Sequence, residues 1–451
     1  MQGGVSEDQR PKILMCATMW WPLGARFAMA FVRHGCKVSA VCPPGHPMRF
    51  VSGIESLHPY TGLSSAKSLR AAILATHPDL IVPCDDGVVW QLHELHANNP
   101  EFRPLIERSL GAKEAYPTLQ RRGEVLRTAK ELRIRVPLTQ TVKSVEDLKD
   151  WCVGTPAVLK LDGTWGGEGV IIARTQDKAV AAFHRLSKPF SAYLAWKRFL
   201  INHDPLALWS WRRQTKSSVT VQEFIQGCPA NTMFACWNGE VLAVVTVEVL
   251  ASQGATGAAT VVRLVQNDEI EQAARLLARK FKLSGFHGLD FILEEHSGAA
   301  YLIELNPRCT QLGHLNLLRA GDLAGALCAK LLNLSIQEPT PDASQKQLTT
   351  ESTVAFFPQA LNWNPKSEYL SRGFHDVPWE EPALVRELLR RPWPERQLLS
   401  RIYHYFRAPQ RVEEVKFTEE SERIRGQRYP LPISEENING AKAVEKTTVN
   451  T

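Results

Sequence analysis

The stretch from Gly285 to Arg308 constrains the fold more than any other. It reads Gly285-Phe286-His287-Gly288-Leu289-Asp290-Phe291-Ile292-Leu293, a short break, then Ala300-Tyr301-Leu302-Ile303-Glu304-Leu305-Asn306-Pro307-Arg308. Two apolar runs of strand length around a turn through Glu294 to Gly298 predict a β-hairpin. Carboxylates set in apolar strands need partners, because an isolated buried charge is costly. Asp290, Glu304 and Asn306 are therefore expected to converge on the hairpin rim. Glu304 and Asn306 share a strand face because they are two residues apart. Three hard oxygen donors suit magnesium, which is usually shared with nucleotide phosphates. The plainer alternative is a pair of edge-strand acids followed by an Asn-Pro turn.

A second constellation lies upstream. Pro156-Ala157-Val158-Leu159-Lys160 predicts a strand ending in a charged residue, and glycines follow at 163, 166, 167 and 169 before Val170-Ile171-Ile172. Glycine permits close approach and unusual dihedrals, so Gly163, Gly166, Gly167 and Gly169 can turn backbone N–H groups toward phosphate oxygens. No Gly-Lys-Ser/Thr follows, and the next element reads as a strand, so this is not a Walker A loop. A strand, glycine loop and strand make a flap able to fold over a nucleotide, with Lys160 beneath it. A plain hairpin turn is the alternative, but it needs fewer glycines than these.

The chain opens with a βαβ pattern. Lys12 to Ala17 and Lys37 to Cys42 flank an Ala-rich helix, and Asp79 to Cys84 is a further strand. Its first turn lacks G-x-G-x-x-G, so this unit packs beside a site rather than holding a dinucleotide. Asp85 and Asp86 stand at the carboxyl end of a strand, where open sheets place ligands, but acids there also cap helices. Ser144 with Asp147 resembles a capping box, and Asn238-Gly239 is a strong hairpin signal. Asn267 or Asp268 begins a helix whose buried face is Ile270, Ala273, Ala274, Leu277 and Phe281. The tryptophan-rich basic stretch 190–217 admits stacking on bases or a membrane surface, but it equally describes the outer face of an ordinary helix.

The formal charge of +6 over 451 residues is slight, so a nucleic-acid partner is not required, while anionic substrates are compatible. Nine cysteines without paired spacing point to free thiols in a reducing compartment. No apolar run approaches a bilayer crossing. The expectation is a cytoplasmic protein without membrane or nucleic-acid partners, and symmetric pairing as a closed homodimer is the base-rate assembly.

Taken in order, these motifs resemble the ATP-grasp superfamily of carboxylate-amine ligases, over roughly residues 11–335. The resemblance implies a multidomain chain of α/β and α+β parts, an ATP-grasp fold with an N-terminal open α/β (pre-ATP-grasp) domain. The expected boundaries are a disordered start at 1–10, the pre-ATP-grasp domain at 11–110 and the ATP-grasp domain at 111–335, with its flap subdomain at about 136–217. A C-terminal α/β appendage at 336–410 and a polar tail at 411–451 complete it. The phosphate-binding pair matches Arg122 and Lys160, and the flap matches Gly163, Gly166, Gly167 and Gly169. The adenine hinge matches Gln222, Glu223, Phe224 and Ile225, with backbone contacts from Glu223 and Ile225. Asn231 is the one polar candidate for the ribose. Asp290, Glu304 and Asn306 match the ligands of magnesium, with manganese as a substitute. Lys160, Arg308 and Arg263 match catalytic positions, and His287, Glu248 and Gln311 are further residues that could face the substrate. The implied activity is ATP-dependent activation of a small carboxylate as an acylphosphate and its transfer to an amine. The rivals are a bicarbonate or thiol acceptor, and a nucleotide-binding protein without catalysis.

Overall fold

In a computed structural model, the described residues are 10–149, 151, 156–162, 169–188, 191–213, 218–254, 256–315, 322–334, 348 and 352–405. Gly163, Gly166 and Gly167 of the expected flap lie outside them, as do the start at 1–9 and the tail at 411–451.

The first unit is a parallel sheet of β1 (Lys12–Cys16), β2 (Lys37–Cys42), β3 (Ile54–Pro59) and β4 (Leu80–Pro83), in the order β3-β2-β1-β4. Parallel strands covered by helices read as continuous apolar runs, and β1, β2 and β4 are buried along nearly their whole length. The helix Leu23–Arg33 covers one face, its Phe27 and Phe31 rings packing on Phe286 from the central sheet. At the carboxyl end of β4, Asp85 caps the helix Asp86–Asn98 by accepting from the Val88 N–H.

A small antiparallel sheet follows: β5 (Thr139–Val142), β6 (Ala157–Leu161), β7 (Val170–Ala173) and β8 (Val219–Glu223), in the order β5-β8-β6-β7. Its two faces differ in chemistry. Ala157, Leu159, Val219 and Val221 point into a core under the helix Gln176–Leu186, while the alternate positions Lys160, Thr220 and Gln222 form a polar face. Two further helices, Ala192–Ile201 and Pro205–Arg213, intervene between β7 and β8. They account for the tryptophan-rich basic stretch: Trp209 stacks on Trp90 of the helix Asp86–Asn98.

The third sheet has seven strands. They are β9 (Gly227–Trp237), β10 (Glu240–Ser252), β11 (Ala259–Leu264), β12 (Gly285–Glu294), β13 (Ala300–Asn306), β14 (Thr353–Phe356) and β15 (Phe374–Asp376). The order is β13-β12-β9-β10-β11-β14-β15. Asn238 and Gly239 both take positive φ at the β9–β10 turn, as the hairpin signal predicts. The Gly285–Arg308 stretch forms the expected hairpin, β12 against β13. Ser144 and Asp147 complete both arms of a capping box, though the helix they begin is one short 3₁₀ turn, Val145–Leu148. The segment expected as an appendage instead contributes β14 and β15 to the seven-stranded sheet, with β14 pairing β11. It is also tied to the first unit through a buried cluster in which Asp376 binds both Arg26 and His314. No helix among the described residues is long and apolar enough to cross a membrane.

Candidate active site

The register of the central sheet lines up Glu304, Asp290 and Asn231 as cross-strand neighbours on β13, β12 and β9. Facing residues of an antiparallel pair project to the same side, so the three side chains meet. Asn231 Nδ2 donates to Asp290 Oδ1 at 2.5 Å and Asn306 Nδ2 donates to Asp290 Oδ2 at 3.0 Å. Burial, then the adjacent Glu304 carboxylate, push Asp290 above its ordinary value. Burial alone would raise Glu304 too, but Arg122 and Lys160 hold it below its ordinary value.

The cations come from outside this sheet. Arg122 opens the helix Arg122–Glu131 and donates from Nη2 to Glu304 Oε1 at 2.6 Å. Its Nη1 lies 3.7 Å from Asp162 Oδ1. Arg122 Nε and Nη1 are nonetheless buried without a hydrogen-bond partner among the described residues, and so is Asp162 Oδ1. Buried guanidinium N–H groups left unmatched mark a place for an anion. Lys160 is 6% exposed on the polar face of the small sheet. Burial and then Arg122 pull its ammonium down to about 8, against the opposing pull of Glu304 and Asp290. Arg308 donates from Nε to Asp86 Oδ2 at 2.9 Å and from Nη2 to Asn306 Oδ1 at 3.3 Å.

Asp86, Trp90, His93, Gln120, Arg122, Asp162, Glu304 and Pro307 are among the residues around one cleft that is open to solvent. The donor set fits a hard divalent cation. Two carboxylates and an amide converge, and the oxygens a metal would take are occupied here by the amides of Asn231 and Asn306 and the guanidinium of Arg122. No cluster of three or more His, Cys, Asp or Glu that could hold a metal occurs among the described residues, so such an ion would depend on the Asn306 amide and on ligand phosphates.

The structure thus brings together Arg122, Lys160, Asp290, Glu304, Asn306 and Arg308, and it adds Asn231 to the acidic row rather than leaving it isolated as a ribose contact. Gln222 shares the polar face with Lys160 and donates to Thr139 Oγ1 at 3.1 Å. The Glu223 N–H is committed to the Leu138 carbonyl at 2.9 Å, so only its carbonyl is left to approach a ring. Phe224 and Ile225 follow the end of β8, and Gly169 has φ of 79° at the end of the flap.

Arg263 is not gathered into the site. In register it faces Glu248, and the next residue, Leu264, stands in the row that runs through Val247 and Asn231 to Asp290. Strand alternation therefore turns Arg263 to the opposite face, three strands and roughly 14 Å away, where it is bonded to Glu248. His287 is core: its ring stacks on Phe234 and its Nε2 bonds the Ser284 carbonyl at 2.9 Å. Of the two readings the sequence offered for Asp85 and Asp86, the cap falls to Asp85 and Asp86 lines the cleft, and Asp162 is the site carboxylate that sequence reasoning did not assign. Asp162 had a local signal, being two residues beyond Lys160 and so on the same side of its strand.

A family model for the ATP-grasp domain matches residues 204–311, which hold the central hairpin and the acidic row. The chain has the ATP-grasp fold. Solved structures agree over most of their length. N5-carboxyaminoimidazole synthase from Aspergillus clavatus, solved with ADP and 5-aminoimidazole ribonucleotide, is 15% identical at a TM-score of 0.54, covering 76% of this chain and 81% of that one. The L-amino acid ligase of Bacillus licheniformis is 12% identical at 0.52, covering 76% and 80%. Biotin carboxylase from Campylobacter jejuni, solved as a beta-gamma-ATP complex, is 13% identical at 0.52, covering 77% and 76%. No curated protein matches the chain by sequence. Lys160 on the small sheet lies near enough to Glu304 and Asp290 on the large sheet to feel both charges.

Proposed function

We propose that this chain is an ATP-dependent carboxylate-amine ligase that activates a small carboxylate as an acylphosphate and releases ADP and phosphate. The observation that carries the reading is the approach of Lys160 and of the unmatched N–H groups of Arg122 to the Asp290–Glu304–Asn306 row, with Arg122 and Glu304 lining the cleft. A polyphosphate satisfies those donors and returns full charge to Lys160. Asp290, Glu304 and Asn306 would hold Mg2+ or Mn2+, which when bound neutralises charge on the phosphate oxygens.

The chain's own groups then do the following. Lys160 and Arg122 orient the terminal phosphate and stabilise charge on its oxygens. Arg308 positions the substrate carboxylate, one oxygen of which attacks the γ-phosphorus as the bond to the β-phosphate oxygen breaks and ADP leaves. An amine next attacks the acyl carbon, phosphate departs with the C–O bond electrons, and the nitrogen loses a proton to form the amide. The polar face with Gln222, the Glu223 carbonyl and Ile225 lies where adenine would seat. The flap glycines 163, 166, 167 and 169 would exclude water from the acylphosphate.

The test is ADP release across paired carboxylates and amines, with Glu304→Ala as background. The reading expects release that needs both partners and falls at least about a hundredfold in that variant. Release that is equal in Glu304→Ala removes the metal assignment, and nucleotide binding without turnover over a broad panel favours a binding protein.

A further inference from the structure

One face of the helix Asp86–Asn98 is given over to the cleft: Asp86, Val89, Trp90 and His93 fall at helical spacing and all line it. Asp85, not Asp86, performs the capping, since its carboxylate takes Val88 N at 3.0 Å, Thr18 Oγ1 at 2.8 Å and Thr18 N at 2.6 Å. The Asp86 carboxylate is left to Arg308, 2.9 Å away and on the far side of 222 residues of chain. Both side chains are 20% exposed; Asp86 lines the cleft, and so does Pro307, the residue before Arg308.

We propose that this region is the subsite for the activated carboxylate and that it takes a zwitterionic α-amino acid with a flat apolar side chain, Arg308 binding the carboxylate, Asp86 the ammonium and Trp90 the side chain. The inference rests on the ligase reading for the word "activated" alone. A ligand carrying both charges replaces the Asp86–Arg308 pair without stranding either partner, whereas a simple carboxylate takes Arg308 and leaves Asp86 partly buried and unmatched. The site thereby selects for an ammonium beside the carboxylate.

The wall around the pair suits that ligand. Trp90 is braced by Trp209, ring centroids 5.6 Å apart and 18° from parallel. The helix carrying Trp209 packs so close that a Cβ on Gly87 would meet Leu206 Cδ2 at 2.8 Å. His93 stacks on Tyr116 at 4.0 Å and accepts from Gln120 Nε2 at 2.8 Å, and burial lowers it to about 3. It is therefore neutral and does not repel an ammonium.

The experiment compares L-phenylalanine with 3-phenylpropanoate, which lacks only the ammonium, on the full chain with Mg2+ and a non-hydrolysable ATP analogue. Binding is read by calorimetry, and ADP release with ATP is followed separately. The expected result is at least about tenfold tighter binding of phenylalanine by the wild type. Asp86→Asn should remove that preference and raise KM for phenylalanine with little change in kcat, while Trp90→Ala weakens both ligands alike. Equal binding of the two by the wild type, or no binding of phenylalanine, overturns the proposal whether or not the variants fold. Phenylalanine binding that keeps the preference, without ADP release from any carboxylate, sustains this subsite and sinks the ligase reading instead.

Discussion

Raising the pH from about 7 to 9.5 should weaken nucleotide binding, and Lys160 is the reason. In the free protein its ammonium titrates at about 8, because burial and Arg122 outweigh the two facing carboxylates. A bound polyphosphate restores the charge, so protons are taken up on binding. With a free-state value of about 8, Lys160 is roughly 90% charged at pH 7, half charged at pH 8 and roughly 10% charged at pH 9. Above pH 8 the dissociation constant for ADP with Mg2+ should therefore rise by about tenfold per pH unit, or about 1.4 kcal/mol, until the bound-state value is reached. Calorimetry in two buffers of different ionisation enthalpy reads both quantities: the affinity, and an uptake near half a proton at pH 8. Lys160→Met should bind weakly, with no comparable slope. An affinity constant within twofold to pH 9.5 in the wild type, with no buffer-dependent enthalpy, would refute the argument.

Three further outcomes follow from the same geometry. Lys160→Met should stabilise the nucleotide-free protein at pH 7 by on the order of 2–3 kcal/mol, because the folded chain holds this proton less tightly than the unfolded one; the gain fades as pH rises from about 8 to 10.5, where wild-type stability recovers, and thermal unfolding at both ends of that window checks it. Asp376, held at about 2 by Arg26 and His314 despite its burial, contributes about 2 kcal/mol that is present above pH 4 and lost as pH falls toward 2. Asp376→Asn should lose that slope in urea titrations, and should cost about 3–5 kcal/mol near neutrality by stranding Arg26. Gly285→Ala should destabilise by more than about 2 kcal/mol in denaturant titration, since φ there is +82° and a Cβ would lie 2.1 Å from the Ser109 carbonyl oxygen; an unchanged midpoint would mean that the strand entry is not so constrained.

What was legible in the sequence was whatever depends on near neighbours along the chain. The two-residue period of a strand is local, so Glu304 and Asn306 could be placed on one face and the hairpin read from its apolar runs. The Asn238-Gly239 turn and the Ser144–Asp147 box were likewise written in adjacent residues. The order of the motifs, from Lys160 through the hinge to the acidic hairpin, carried the ATP-grasp fold.

Tertiary structure decided which of those residues meet. Arg122 reaches Glu304 across 182 residues and Arg308 reaches Asp86 across 222, and no local period encodes such pairings. Sheet register did the rest. A shift of one position separates Leu264, in the row of Asp290, from Arg263, on the other face with Glu248, and β14 joins β11 although a long stretch of chain lies between them. Side-chain identity supplies the chemistry and spacing supplies the face. The distance between charges, and hence the lowered ammonium of Lys160 and the unmatched Nε and Nη1 of Arg122, exists only once the two sheets come together.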